Sequence, residues 1–304
     1  MQLTWQPLFS VTAMTSANQH PHMSVDLYQR LLHTAQKIAA EKNVYRLCEM
    51  ILTEAMDITH ADGGTFYLVR QNASGHDDHL DFVIVRNQSL NIGMESHQGK
   101  TSNLPPVPLF VDENHQRVRN EHNIAACAYH QRQLINVADA YSDVRFDFSG
   151  TREFDSKTGY HPRSFLAVPL LNHENDVVGV LQLINARDAH SGDISSFSER
   201  TESLVSALAS YAAIALTNQI LVQELKNLLD AFIRCIAQAI DAKSRHTSAH
   251  CQKVPVLMEM IAQAAHNDDT VFRDFILNDD DWYELRVAAW LHDCGKLSTP
   301  DSVL

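Results

Sequence analysis

From Phe197 to about Lys243 the chain contains no glycine and no proline. Apolar residues recur through that run at helical spacing: Leu204, Leu208, Tyr211 and Ala215, then Leu221, Leu225, Leu228, Phe232, Ile236 and Ile240. The pattern predicts about 45 residues of helix, roughly 65–70 Å long. Helices of this length seldom stand alone in soluble proteins, so the run predicts a parallel pair across a homodimer. It also supplies a lever between whatever precedes it and whatever follows. The uncharged stretch from Leu204 to Gln223 includes Ser206, Ser210, Thr217, Asn218 and Gln219. Those polar side chains favour a packing helix over a membrane span.

The chain has 304 residues, which suggests roughly two domains, one on each side of the helix. Its 24 basic and 37 acidic residues give a formal net charge of -13. That balance argues against a nucleic-acid polymer or an anionic membrane as partner. Cys48, Cys127, Cys235, Cys251 and Cys294 are scattered and odd in number, which fits a reducing cytoplasm better than a disulfide framework. No basic, apolar leader opens the sequence.

Residues 1–23 lack a clear period and read as an irregular arm. Helical spacing follows over 25–41 and 43–58, with Asn43 as a candidate cap for the second helix. Asp62-Gly63-Gly64 reads as a turn before the strand Thr65–Val69. A hairpin loop from Gln71 to Asp78 leads to a second strand, Leu80–Val85, and residues 87–106 read as a long loop. Leu109–Val111, Leu134–Val137, Phe165–Leu170 and Val177–Ile184 supply further strands, and Ile124–Tyr129 a short helix. The layout is α+β, a largely antiparallel sheet with helices at both ends.

Four segments carry a resemblance: Asn136–Asp147, Thr158-Gly159-Tyr160, Ser164–Leu170 and Gly179–Asn185. Together they resemble a GAF domain, over about residues 24–220. The likeness is strongest to the GAF domains of cyclic-nucleotide phosphodiesterases and cyclases. It implies a small-ligand sensor with flanking helices that dimerise. Cyclic-nucleotide-binding members carry an N-K-x-F-x-x-x-D-E signature. Asn185, Phe197 and Glu202 match it, whereas Ala186 and Thr201 replace its lysine and aspartate. Asp155 and Thr158 match positions that line the family's nucleotide pocket, and Pro162 replaces a hydroxyl there. The resemblance therefore implies either a small ligand or cyclic nucleotide held near Asp155 and Thr158, or an empty pocket in a dimerising relay.

Beyond the connecting helix (221–243), residues 244–304 read as all-α. His246 and His250 stand four apart and share a helical face. Asp268, Asp269 and Asp279–Asp281 read as solvated surface. The last helix runs into His292-Asp293-Cys294-Gly295-Lys296. An imidazole nitrogen and a carboxylate oxygen are both good ligands for a borderline divalent metal. The alternative reading is a helix end, with Gly295 as cap and Lys296 complementing the dipole.

The interval between His250 and His292 leaves room for two antiparallel helices that bring the early histidine back to the late pair. In that order, these residues resemble the HD superfamily of metal phosphohydrolases. The continuation through Pro300-Asp301-Ser302-Val303-Leu304 resembles its HD-GYP branch, the cyclic dinucleotide phosphodiesterases. Ala249 and Lys253 stand where glycine and arginine are usual in that branch. The resemblance implies that His250, His292 and Asp293 ligate two divalent metals, iron or manganese, with Asp293 bridging and His246 as an additional ligand. It also implies that Lys296 neutralises a phosphate of a cyclic di-GMP-like substrate. The ions would lower the pKa of a bound water and stabilise charge on the phosphate. The branch's remaining ligands and Gly-Tyr-Pro segment fall after the position of Leu304. These 304 residues are therefore expected to be a fragment, the output domain incomplete and inactive by itself. A non-catalytic signalling and dimerisation module is the other reading.

Overall fold

A computed structural model describes residues 33–34, 36–72, 74–95, 104–113, 115–188, 191–243 and 250–299. The arm over 1–23 and the start of the first expected helix lie outside the described residues, as does His246. Contacts divide the chain between Ala215 and Leu216.

The first unit is built on helix α1 (Val44–Thr59) and an antiparallel sheet. Asn43 caps α1 as its side-chain chemistry predicts, its Oδ1 accepting from the N–H groups of Tyr45 and Arg46 at 2.9 and 3.1 Å. Leu47, Cys48, Ile51, Leu52 and Ala55 are fully buried, the inward stripe of an amphipathic helix. The strands are β1 (Ala61–Gln71), β2 (Asp77–Asn87), β3 (Ile92–Glu95), β4 (Val107–Pro108), β5 (Phe110–Glu113), β6 (Gln116–Arg119), β7 (Ile135–Val137), β8 (Phe165–Leu171), β9 (Val177–Arg187) and β10 (Ile194–Ser195). The main sheet runs β3-β2-β1-β9-β8-β7, with β10 beside β9 and β4 beside β2, while β5 and β6 form a separate ribbon. Pairing of Phe66 with Leu181 and of Gly64 with Leu183 sets the register at the centre. Leu52 of α1 packs against Gly64 and so covers this face. Tyr67 and Val180 point the other way, into a core shared with helix α2 (Ile124–Gln131) and with Phe148, Phe165 and Ala167.

Strands β6 and β10 were not expected from the sequence, and three further features differ from that reading. Asp62-Gly63-Gly64 is not a turn but the start of β1. The two glycines are there for close packing. A Cβ on Gly64 would lie 2.7 Å from Leu52 Cδ1 and 3.0 Å from the Gln182 carbonyl oxygen, and one on Gly63 would lie 2.9 Å from Asn87 Nδ2. Within the expected 87–106 loop, β3 pairs with β2, a short edge strand with no alternating pattern to reveal it. Helix α3 (Ser149–Thr158) was also not anticipated. None of its residues is buried, so it carries no apolar period.

Helix α4 (Glu199–Lys243) runs 45 residues without interruption. Val205, Leu208, Ala209, Ala212 and Ala213 are buried along its first part. By length and composition alone, Glu199–Ile240 could also cross a membrane.

The second unit comprises the remainder of α4, α5 (His250–His266), α6 (Asp279–Leu291) and a 3-10 turn (Cys294–Leu297). Ala237 and Ile240 of α4 form a small core with Ile236 and Trp290. Asn278 and Asp281 make a reciprocal capping box at the start of α6. Three aspartates in its first turn complement the helix dipole. His266 Nδ1 accepts from the Leu277 N–H and so secures the loop between α5 and α6.

Candidate functional site

Asp155 is the hub of the segment from α3 into β8. Its Oδ2 accepts from the Tyr141 hydroxyl at 2.6 Å and from His161 Nδ1 at 2.8 Å. The two donor rings stack, with centroids 4.2 Å apart and planes at 10°. These hydrogen bonds, Tyr141's first, hold the Asp155 carboxyl below the ordinary carboxylate range. Burial and then the neighbouring carboxylate push the Tyr141 phenol up to about 12. With Nδ1 committed to Asp155, His161 has Nε2 left for any further partner.

Tyr141 and His161 line a cleft of about 570 Å³ together with Asp139, Arg163, Gly192, Asp193 and Ile194. Asp139 accepts from Arg163 Nε at 3.1 Å. The Tyr141 backbone N–H and then Arg163 keep the Asp139 carboxyl low. Asp155 and Thr158 are not among the lining side chains. Asp155 meets the cleft through the two stacked rings. Thr158 turns back on its own helix, donating to the Phe154 carbonyl at 2.8 Å and accepting from the Tyr160 N–H at 3.2 Å. Sequence reasoning missed Tyr141, His161 and Arg163; a tyrosine and a histidine twenty residues apart carry no local signal of stacking.

A buried polar frame supports this corner. Asn185 is fully buried with φ 56°. Its Oδ1 accepts from the N–H groups of Arg163 and Ser164, and its Nδ2 donates to the Tyr160 hydroxyl and the His161 carbonyl. Asn136 Nδ2 donates to Glu202 at 2.6 Å and to the Phe197 carbonyl at 2.8 Å. Of the three residues that match the signature, Asn185 thus holds the 160–164 segment to β9, while Phe197 and Glu202 bind Asn136 of β7. Thr201, in place of the signature's aspartate, bonds with Ser198 at the start of α4. One residue past Ala186, Arg187 reaches the buried Asp62 carboxylate at 2.7 Å and the Ser89 hydroxyl at 2.6 Å. That ion pair ties β9 to the beginning of β1.

In the second unit α6 ends at Leu291, and His292 and Asp293 lie between it and the 3-10 turn. His292 Nδ1 donates to the Ala289 carbonyl at 2.8 Å, which orients the ring. That Nε2 lies 3.4 Å from Asp293 Oδ2. Lys296 donates to the same carboxylate oxygen. Gly295 sits inside the 3-10 turn and does not take the left-handed cap conformation. The structure therefore brings His292, Asp293 and Lys296 together. The backbone of His250 opens α5, but its side chain, like all of His246, lies outside the described residues. Among the described residues no group of three or more His, Cys, Asp or Glu side chains converges as a metal site.

The GAF domain family model matches residues 43–216, and the chain belongs to that family. A cGMP-specific 3',5'-cyclic phosphodiesterase of Drosophila pseudoobscura pseudoobscura is 27% identical over 166 residues, covering 54% of this chain and 13% of the relative. The Drosophila melanogaster enzyme of the same description is 27% identical over 176 residues, 58% of this chain and 14% of its own length. The chain thus spans about a seventh of these relatives. Among solved structures, the GAF domain of an Acinetobacter phosphoenolpyruvate-protein phosphotransferase covers 66% of this chain and 99% of its own, at 15% identity and a TM-score of 0.45. A GAF domain/HD domain protein from Geobacter sulfurreducens covers 62% and 98%, at 14% identity and a TM-score of 0.40.

Proposed function

We propose that this chain is the sensor and the opening part of the output domain of a cytoplasmic, metal-dependent phosphodiesterase acting on a cyclic dinucleotide such as cyclic di-GMP. In this reading residues 24–220 are the GAF sensor, 221–243 the connecting helix and 244–304 an HD-GYP-type segment. The observation that carries the output assignment is the His292–Asp293 geometry. A backbone carbonyl orients the imidazole, so that Nε2 and a carboxylate oxygen face one another at 3.4 Å. That donor pair fits a borderline divalent cation such as iron or manganese. When bound, such ions supply Lewis acidity toward a phosphate ester and its attacking water. His292 and Asp293, with His250 and His246, would hold them. Lys296, an ammonium beside the same carboxylate, would bind a substrate phosphate as a point charge. The GAF relationship to cGMP-specific phosphodiesterases supports regulation by a small ligand or cyclic nucleotide near Asp155 and Thr158.

One observation favours a second reading. Lys296 already neutralises Asp293, which a helix-end ion pair in a non-catalytic signalling module would also do. Hydrolysis decides between them. The complete gene product, supplied with Mn²⁺ or Fe²⁺, is expected to linearise cyclic di-GMP, with Asp293→Ala lowering turnover by about 100-fold or more. A metal-supplied, folded protein that leaves cyclic di-GMP intact, or an Asp293→Ala variant as active as the parent, contradicts the enzymatic reading.

A further inference from the structure

The cleft beside β8 carries charges that its own ion pairs do not use up. Arg163 gives Nε to Asp139 at 3.1 Å. Its two Nη groups take no partner among the described residues. The open end of a guanidinium receives a carboxylate through two parallel hydrogen bonds. Asp193 also lines the cleft. The tight turn between β9 and β10 presents it: the Asp188 N–H donates to the Asp193 carbonyl, and the Gly192 N–H to the Asp188 carbonyl, both at 2.9 Å. Asp193 is exposed, and its carboxylate has no cationic partner among the described residues. Apolar contact comes from Ile194 and from the His161 ring. One face of that ring stacks on Tyr141. The side chain is 54% exposed, so the other face is open to a ligand.

We propose that this cleft binds a free α-amino acid with an apolar or aromatic side chain. The ligand carboxylate meets the open end of Arg163, its ammonium meets Asp193, and its side chain lies against Ile194 and the free face of His161. The balance of charge selects a zwitterion over simpler ions. Asp139 answers Arg163, and Asp155 answers any charge on His161. Asp193 therefore leaves the cleft with one negative charge in excess. A phosphate dianion or a lone carboxylate enters against that charge. A lone amine satisfies Asp193 but leaves the guanidinium end without its acceptor. A molecule that carries both charges on one carbon satisfies both. A volume of about 570 Å³ has room for such a molecule with a ring-sized side chain. Asp155 and Thr158 do not line this cleft, so the site is separate from a nucleotide held near those two residues. It is also independent of the phosphodiesterase reading, because it needs neither a metal nor the output domain.

Isothermal titration calorimetry on the 304-residue chain, without added metal, takes L-tryptophan, L-phenylalanine and L-leucine as probes. At least one is expected to bind saturably. It should bind about tenfold or more tighter than its N-acetyl derivative, which lacks the ammonium, and than its amide, which lacks the carboxylate. Each charge is then traced to its partner. Arg163→Ala is expected to weaken the amino acid by about tenfold or more and to bind it no better than its amide. Asp193→Asn is expected to bind it no better than its N-acetyl derivative. Circular dichroism should be unchanged in both variants, because both side chains are solvent-accessible. Excess cGMP is expected to leave the titration unaltered. The inference is overturned if none of the three amino acids binds, or if an amide or N-acetyl derivative binds as tightly as its parent. Folded variants that keep the parent's affinity and selectivity, or displacement of the amino acid by cGMP, also overturn it.

Discussion

Asp155 joins two rings that the sequence keeps well apart, and its ionisation tests that junction. Its carboxyl is held below the ordinary range by Tyr141 and then His161. A carboxylate whose folded pKa is depressed stabilises the fold fully above its unfolded value, about 4. That contribution is lost as pH falls through the depressed folded value. The chain should therefore lose more stability between pH 5 and pH 3 than an Asp155→Asn variant, as read by urea unfolding at each pH. Equal losses would show that the carboxylate makes no net difference. The same substitution should bring the Tyr141 phenol down from about 12, seen as earlier absorbance at 295 nm on alkaline titration. The phenol stays above the ordinary value because burial is the larger cause.

Elements were legible wherever one face meets a core. The 3.6-residue stripe of α1 and the Asn43 cap gave that helix to within a residue of its observed bounds, and β8 and β9 showed themselves as apolar runs. Helix α3 escaped because it buries nothing. Gly63 and Gly64 misled because the same residue serves a turn by its conformational freedom and a sheet by its lack of a side chain. The second use is testable. Gly64→Ala forces a methyl against Leu52 and the Gln182 carbonyl and should destabilise the first unit by about 1–3 kcal/mol, measured by chemical denaturation. A neutral substitution would mean that α1 shifts off the sheet at no cost.

At the scale of the whole molecule, the sequence showed a sensor-type sheet, an unbroken helix of 45 residues and a helical end carrying an adjacent histidine and aspartate. It did not show the cleft, because Tyr141, His161 and Arg163 meet only after β7, α3 and β8 are in place. The His292–Asp293 pair was legible because its two side chains are neighbours in the chain, so little folding is needed to bring them together. The account depends on those two side chains holding a cation. Metal content of the complete gene product, by inductively coupled plasma mass spectrometry after purification without chelators, measures this directly. Iron or manganese is expected to co-purify with the parent protein and to be lost from folded His292→Ala and Asp293→Ala variants. A metal-free parent, or variants that retain the parent's full metal content, would contradict it.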